Sequence, residues 1–290
     1  MKWFSAWYFL HTTLSIRYTM VKERSVTIDD RKRKRDSDSI VDVCCPVYQF
    51  DSLSSAAAEH LLEFGVAVVR MHCGDFDAIQ FDKKHFPEFN DVSKCPVLGG
   101  FGAYGHPSSF HDPEVRQLRC TLHAQGRHLL TFLHKGQYCQ MLPDRLGCRR
   151  SGTSVTAESW HRDVTDANPS STLYGGWYNL DKSGCQMFTC CLGTHVTHAD
   201  SSAHGFATIK KEDACVFKST STRLLIPAGY AIMFNEQIVH CVSGLKQAVD
   251  SHRVYMKYRV MSTPTPLYPH SETMRNVSDQ GTFNINTSAH

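Results

Sequence analysis

His161 and Asp163 form a His-x-Asp pair within Glu158-Ser159-Trp160-His161-Arg162-Asp163. On a β-strand, residues i and i+2 point to the same face. An imidazole and a carboxylate then stand side by side, as two ligands of one metal do. A third ligand from elsewhere would complete a 2-His-1-carboxylate facial triad, a set that suits Fe(II) with open coordination positions. The chain holds 17 His in 290 residues, so roughly one His-x-Asp arises by chance. Two other pairs compete: His198-Ala199-Asp200 and His270-Ser271-Glu272.

Topology separates the three. In a jelly-roll metal site the paired ligands lie on an early strand, and the second His lies on a late strand several sheet crossings on. His240, in Ile238-Val239-His240-Cys241-Val242, has the apolar flanks of a ligand facing a barrel interior. The same flanks fit a satisfied core histidine. Between Asp163 and His240 there is room for five or six strands, between Asp200 and His240 for about three short runs, and His270 has no strand after it. His161 is the pair this ordering selects. Arg253 opens Arg253-Val254-Tyr255-Met256-Lys257-Tyr258-Arg259. A buried guanidinium there needs an anionic partner, and a co-substrate carboxylate, bound bidentately, would be one. A strand with Arg, Tyr, Lys and Arg on a wet face is the plainer alternative. Arg259 lies on the same face and is the other candidate anchor.

These side chains must be carried by short apolar runs between turns: Leu173–Leu180, Cys185–Leu192, Phe206–Ile209, Cys215–Lys218, Leu224–Pro227, Tyr230–Phe234 and Arg253–Val260. Asp181-Lys182-Ser183-Gly184 and Pro227-Ala228-Gly229 are turn signals. Such spacing predicts a sandwich or barrel of jelly-roll type. Helices precede it. Ser52–Phe64 is helical, capped by Asp51 or Ser52 and ended by Gly65, and Val66–Arg70 follows as a buried strand. A second helix starts at Asp112-Pro113, runs through Val115, Leu118, Leu122, Leu129 and Leu133, and closes at Gly136. The class is therefore α+β, with a double-stranded β-helix (jelly-roll) core and flanking N-terminal helices. Gly100-x-Gly102-x-x-Gly105 matches the dinucleotide fingerprint only literally, because no strand precedes it and no helix start follows; it reads as a loop that could cover a site.

Three parts are expected: a polar, basic N-terminal tail at 1–40, a dioxygenase-like domain at 41–270 and a loose tail at 271–290. The run Arg31-Lys32-Arg33-Lys34-Arg35 fits either a nuclear-import address or a solvated charge run. The aromatic N-terminus is too short a run for a convincing signal peptide. No stretch is long enough to span a membrane. Lys and Arg (31) nearly balance Asp and Glu (28), for a net charge of +3, which gives no support to a nucleic-acid partner. The 12 cysteines include no Cys-x-x-Cys. Reduced thiols in a cytoplasmic or nuclear setting are the simplest reading.

Trp160-His161-Arg162-Asp163, Asp181-Lys182-Ser183-Gly184-Cys185, Gly193-Thr194-His195, and Pro227-Ala228-Gly229 with His240 and Arg253 together resemble the ordered landmarks of the Fe(II)/2-oxoglutarate-dependent dioxygenases. The phytanoyl-CoA dioxygenase-like branch is the nearest in pattern, over roughly 155–260. The resemblance implies Fe(II) held by His161, Asp163 and His240, and 2-oxoglutarate held at Arg253 with Trp177 lining its pocket. It implies O2 as the oxidant, ascorbate as reductant, and hydroxylation of a small organic substrate with release of succinate and CO2. Trp160 and Arg162 flank the ligands and are candidate substrate contacts; their other role is packing and surface charge. Two rival functions are an inactive jelly-roll binding module, which would lose a ligand or the Arg, and a cupin-type metalloenzyme, which would not need Arg253.

Overall fold

The computed structural model describes residues 48–89, 112–142, 146–149, 151–152, 158–164, 171–197, 207–209, 211–242, 248–263 and 282–284. The expected N-terminal tail with its basic run at 31–35, the glycine-rich segment 100–105, and the pairs at 198–200 and 270–272 lie outside them; of the expected tail at 271–290 only 282–284 is described, and it is a strand. In chain order the strands are β1 (Gln49–Phe50), β2 (Val66–Arg70), β3 (Tyr138–Leu142), β4 (Leu146–Arg149), β5 (Glu158–Arg162), β6 (Ser171–Asn179), β7 (Cys185–Cys191), β8 (Ala207–Thr208), β9 (Thr222–Pro227), β10 (Tyr230–Asn235), β11 (Val239–Val242), β12 (Ser251–Met261) and β13 (Thr282–Asn284). They form two sheets. The larger runs β1-β2-β10-β6-β12-β3-β13, with β4 also paired to β12; the smaller runs β8-β5-β11-β7-β9. All pairings are antiparallel except β1 with β2.

Several strands of the large sheet are apolar at successive positions, as in Val66-Ala67-Val68-Val69 and Tyr230-Ala231-Ile232-Met233-Phe234, and all of these are buried. A strand reads this way when both of its faces are covered. Alternate residues indeed enter two different cores. Ala67, Val69, Tyr174, Tyr178, Ala231, Met233, Val254, Met256, Tyr258 and Val260 pack with the helices. Val66, Val68, Trp177, Tyr230, Ile232 and Phe234 pack with Phe188, Cys190, Leu224 and Ile226 of the small sheet. The large sheet is thus the middle layer, and its inner face shares a core with the sheet that carries His161 and His240.

The helical layer follows from capping and periodicity. Helix α1 (Ser55–Phe64) is capped by Ser54, whose hydroxyl accepts from Ala57 N at 3.3 Å, two to three residues later than the caps the sequence suggested, Asp51 or Ser52. Gly65 ends it at φ 79. A Cβ there would overlap the His195 ring as well as strain the backbone. Helix α2 (Ala78–Phe89) went unseen in the sequence; Asp77 Oδ1 accepts from Ile79 N and Gln80 N at its start. In α3 (Pro113–Leu133) Asp112 caps the helix, and Leu118, Leu122, Leu129 and Leu130 are fully buried on one stripe. Each such leucine contributes about 1.5–3 kcal/mol.

Cys215–Lys218 is not a strand. It lies in α4 (Lys211–Thr220), with Glu212 and Asp213 in the first turn and Lys218 in the last. That charge order matches the helix dipole, and a short apolar run carries no period of its own. The strands β3 and β4 were also missed, because they precede the apolar runs from which the sheet was read. The path from Asp163 to His240 crosses β6, β7, β8, β9 and β10, in line with the expected five or six. The nine described cysteines are unbridged. No helix among the described residues is long and apolar enough to cross a membrane.

Gly126 faces Tyr258 across the α3–β12 packing, and a Cβ there would overlap the phenol. Helix propensity alone favours Gly126→Ala by about 1 kcal/mol. Overpacking of this kind costs about 1–3 kcal/mol, so the substitution should lower stability in urea or thermal unfolding despite its gain in helicity.

Candidate metal centre

β5 and β11 pair so that His161 and His240 lie directly opposite one another. Their rings stand 4.4 Å apart, centroid to centroid. Each ring is oriented by its own strand: His161 Nδ1–H donates to Ser159 O at 2.7 Å, and His240 Nδ1–H donates to Ile238 O at 3.0 Å. A carbonyl can only accept, so Nδ1 carries the proton in both rings. In the neutral rings the lone pair is then on Nε2. Both Nε2 atoms lie 3.5 Å from Asp163 Oδ1. Two lone pairs facing a carboxylate oxygen repel unless a cation stands between them. Ligands about 2.0–2.2 Å from one ion stand roughly 2.8–3.6 Å apart, and both Nε2–Oδ1 separations of 3.5 Å fall in that range.

The charges agree with that need. Burial would raise the Asp163 carboxyl, but His240 and His161 outweigh it and hold it below the usual carboxylate range. Burial lowers His161, yet Asp163 and the Ser159 carbonyl reverse this and raise it. For His240 burial prevails and lowers its pKa. Without metal, a proton in the cluster is therefore favoured on His161 over His240. Asp163 is 27 % exposed, against 8 % and 7 % for the two histidines, so the open side of the cluster lies at the carboxylate.

Glu158 was not recognised as part of this cluster from the sequence. It sits three residues before His161, where strict alternation sends it to the other face. The register between β5 and β11 shifts between His161 and Glu158, a β-bulge. The bulge turns Glu158 Oε2 to 3.8 Å from His161 Nε2. Asp163, by contrast, is equidistant from both histidines.

Arg253 and Trp177 are also brought together. The Arg253 guanidinium lies 4.3 Å over the Trp177 ring, inside the two-sheet core. Burial pushes its pKa down to about 10, Tyr255 opposes this, and the nearby Arg149 cation adds to it. It stays charged at neutral pH. The side of β12 bearing Arg253, Tyr255 and Lys257 is consequently the inner face and not a wet one. Lys257 pairs with buried Glu236 at 2.8 Å and contributes to the field on Asp163. Arg259 is six residues from Arg253, about 20 Å along the strand. From His240 toward Arg253 the wall is aromatic: Phe188 is 5.3 Å from His240, and Trp177 is 5.4 Å from Phe188.

The Arg162 guanidinium is buried behind the ligand strand, donating to Thr194 O at 2.7 Å, Thr197 Oγ1 at 2.8 Å and Gln237 O, which is a packing role. It ties the turn before His240 to the His161 strand. Trp160 is half-buried on the same side of β5, and its carbonyl accepts from Ile209 N at 3.3 Å. His195 reaches Leu62 O at 2.9 Å and belongs to the end of α1.

Such a fold is one that non-haem, α-ketoglutarate-dependent enzymes use. It is shared with EctD from S. alaskensis, solved with 2-oxoglutarate and 5-hydroxyectoine, at 13% identity and a TM-score of 0.52, over 80% of this chain and 86% of that one. It is shared too with the α-ketoglutarate-dependent carbocyclase SnoK from nogalamycin biosynthesis, at 16% identity and a TM-score of 0.51, over 71% and 84%. At these identities the likeness is one of fold. No protein-family model and no curated protein matches the chain.

The proton on His161 must leave when an ion enters. Because its pKa is raised above 6.5, affinity for Mn(II) should increase with pH through and beyond that value, and binding near pH 7 should release a proton. Titration calorimetry in two buffers of different ionisation enthalpy reads that proton directly; uptake without release would contradict the assignment.

Proposed function

We propose that the chain is a non-haem Fe(II)- and 2-oxoglutarate-dependent oxygenase that hydroxylates a small organic substrate. Its core is a double-stranded β-helix (jelly roll), spanning one domain at 41–270, and its landmark order is closest to the phytanoyl-CoA dioxygenase-like branch. The observation that carries the reading is the convergence of both Nε2 atoms on Asp163 Oδ1, each ring locked by its own Nδ1–H bond.

His161, Asp163 and His240 would hold Fe(II). Once bound, the ion supplies O2 activation coupled to decarboxylation of 2-oxoglutarate to succinate and CO2, with ascorbate as an auxiliary reductant. The chain's own part is to bind, orient and exclude water. Arg253 takes the distal carboxylate of the co-substrate through its planar fork, and Trp177 fixes the plane of that fork from beneath. Arg149 adds positive charge at the same end. Phe188, Phe234 and Trp177 keep the interior dry, which limits side reactions of the oxidant. Lys257, held in place by its ion pair with Glu236, keeps an ammonium near Asp163 and favours the ionised carboxylate. A filled Arg253 position sets this reading above a cupin-type enzyme that does not use 2-oxoglutarate. EctD, whose structure holds 5-hydroxyectoine, is in keeping with a small-molecule substrate.

Anaerobic Fe(II) plus 2-oxoglutarate should give a visible charge-transfer band, and His161→Ala or Asp163→Ala should abolish it. Arg253→Ala should weaken 2-oxoglutarate on the order of 100-fold, the loss of about 3 kcal/mol from a charged pair, while Fe(II) still binds. Arg259→Ala should leave 2-oxoglutarate affinity unchanged. A folded wild-type protein without the band refutes the proposal.

A further inference from the structure

A second cluster lies on the opposite face of the large sheet. Asp82 of α2, Cys148 of β4 and His252 of β12 are all buried, and each offers a ligand atom within 4.8 Å of the others. Cys148 and His252 are direct cross-strand partners, so their side chains stand on one face of the sheet. Asp82 reaches them from the helix, with Oδ2 3.4 Å from His252 Nε2. That nitrogen is buried and makes no hydrogen bond. The other ring nitrogen, Nδ1, lies 3.7 Å from Asp181 Oδ1.

From this geometry we infer a structural site for a borderline-soft divalent cation of the Zn(II) class, bound by Asp82, Cys148 and His252. The donor set of carboxylate oxygen, thiolate sulfur and imidazole nitrogen is the set such an ion takes, at about 2.0–2.3 Å. Tetrahedral ligands at those lengths stand roughly 3.3–3.7 Å apart, and the Asp82–His252 separation of 3.4 Å falls in that range. The carboxylate behind the imidazole is the usual support of a metal-bound histidine, since it orients the ring and makes Nε2 a better donor. A fourth position falls to water or to the second oxygen of Asp82. An ion here would fasten α2 and β4 to the residue next to Arg253, without touching the His161 centre.

The rival occupant is a proton. Burial lowers the His252 pKa, but Asp181, Asp82 and Cys148 push it up to about 11, so the metal-free ring is an imidazolium between two carboxylates. An ion must displace that proton and the thiol proton.

The test uses the full chain with His161→Ala and His240→Ala, which disable the first centre. Co(II) should bind at one equivalent, giving a near-ultraviolet thiolate charge-transfer band and the intense visible bands of a tetrahedral ion, and Zn(II) should bleach both. Cys148→Ser should remove the thiolate band, and Asp82→Asn, which keeps the shape, should weaken Co(II) at least tenfold. If the folded double variant takes up Co(II) without a thiolate band, or takes up none, the ion-pair reading holds and the site is overturned whatever the further variants do. A thiolate band that survives Cys148→Ser overturns it equally.

Discussion

Two imidazoles aimed at one carboxylate oxygen are unstable company without a cation, and that requirement explains much of the chain. The Nδ1–H bonds to Ser159 O and Ile238 O cost nothing in distant structure, because each links a residue to the carbonyl two positions before it. They succeed only if β5 and β11 are in the one register that sets His161 opposite His240. A one-residue slip would turn one ring to the far face. Register is therefore the quantity the surrounding structure must protect. Arg162 does this from behind, by joining the β5 strand to the Thr194 turn and to Gln237 just before β11. Thr194 continues the tie, accepting from Val239 N at 2.9 Å and donating to Cys191 O at 2.7 Å.

What could be read from the sequence follows from range. His161 and Asp163 are two residues apart, so a strand period is enough to pair them. Counting strands back from His240 could choose this pair over the one at 198–200, since the number of crossings decides whether a late strand returns beside an early one. β2 and β10 of the large sheet were legible because they are apolar at successive positions. Glu158 was not, because a bulge breaks the alternation on which such readings rest. The Lys257–Glu236 pair was not legible either. An alternating row of Arg, Tyr and Lys is what a solvated strand face looks like, and only the second sheet shows that this face is turned inward. Cys215–Lys218 failed for the opposite reason: four residues are too few to display either period.

The middle layer has a further consequence. Adjacent residues of β12 work on different sides: Arg253 inward over Trp177, His252 outward toward Asp82 and Cys148. The backbone at the start of β12, which places Arg253 over Trp177, is held by something other than Arg253 itself. The hydrogen bonds show how. His252 N donates to Asp181 Oδ1 at 2.7 Å, and His252 O accepts from Gln186 Nε2 at 2.7 Å and from Leu180 N at 3.0 Å. Gln186 Nε2 is shared with Asn179 Oδ1 at 2.9 Å and Asp181 Oδ2 at 3.0 Å. Both peptide groups of His252 are thus fixed by a buried network that spans β6, its turn and β7. In a low-dielectric interior such a network is rigid when satisfied and costly when broken. The position of Arg253 is therefore set by the hairpin Asp181-Lys182-Ser183-Gly184 on the neighbouring strands, a segment that in the sequence shows only as a turn.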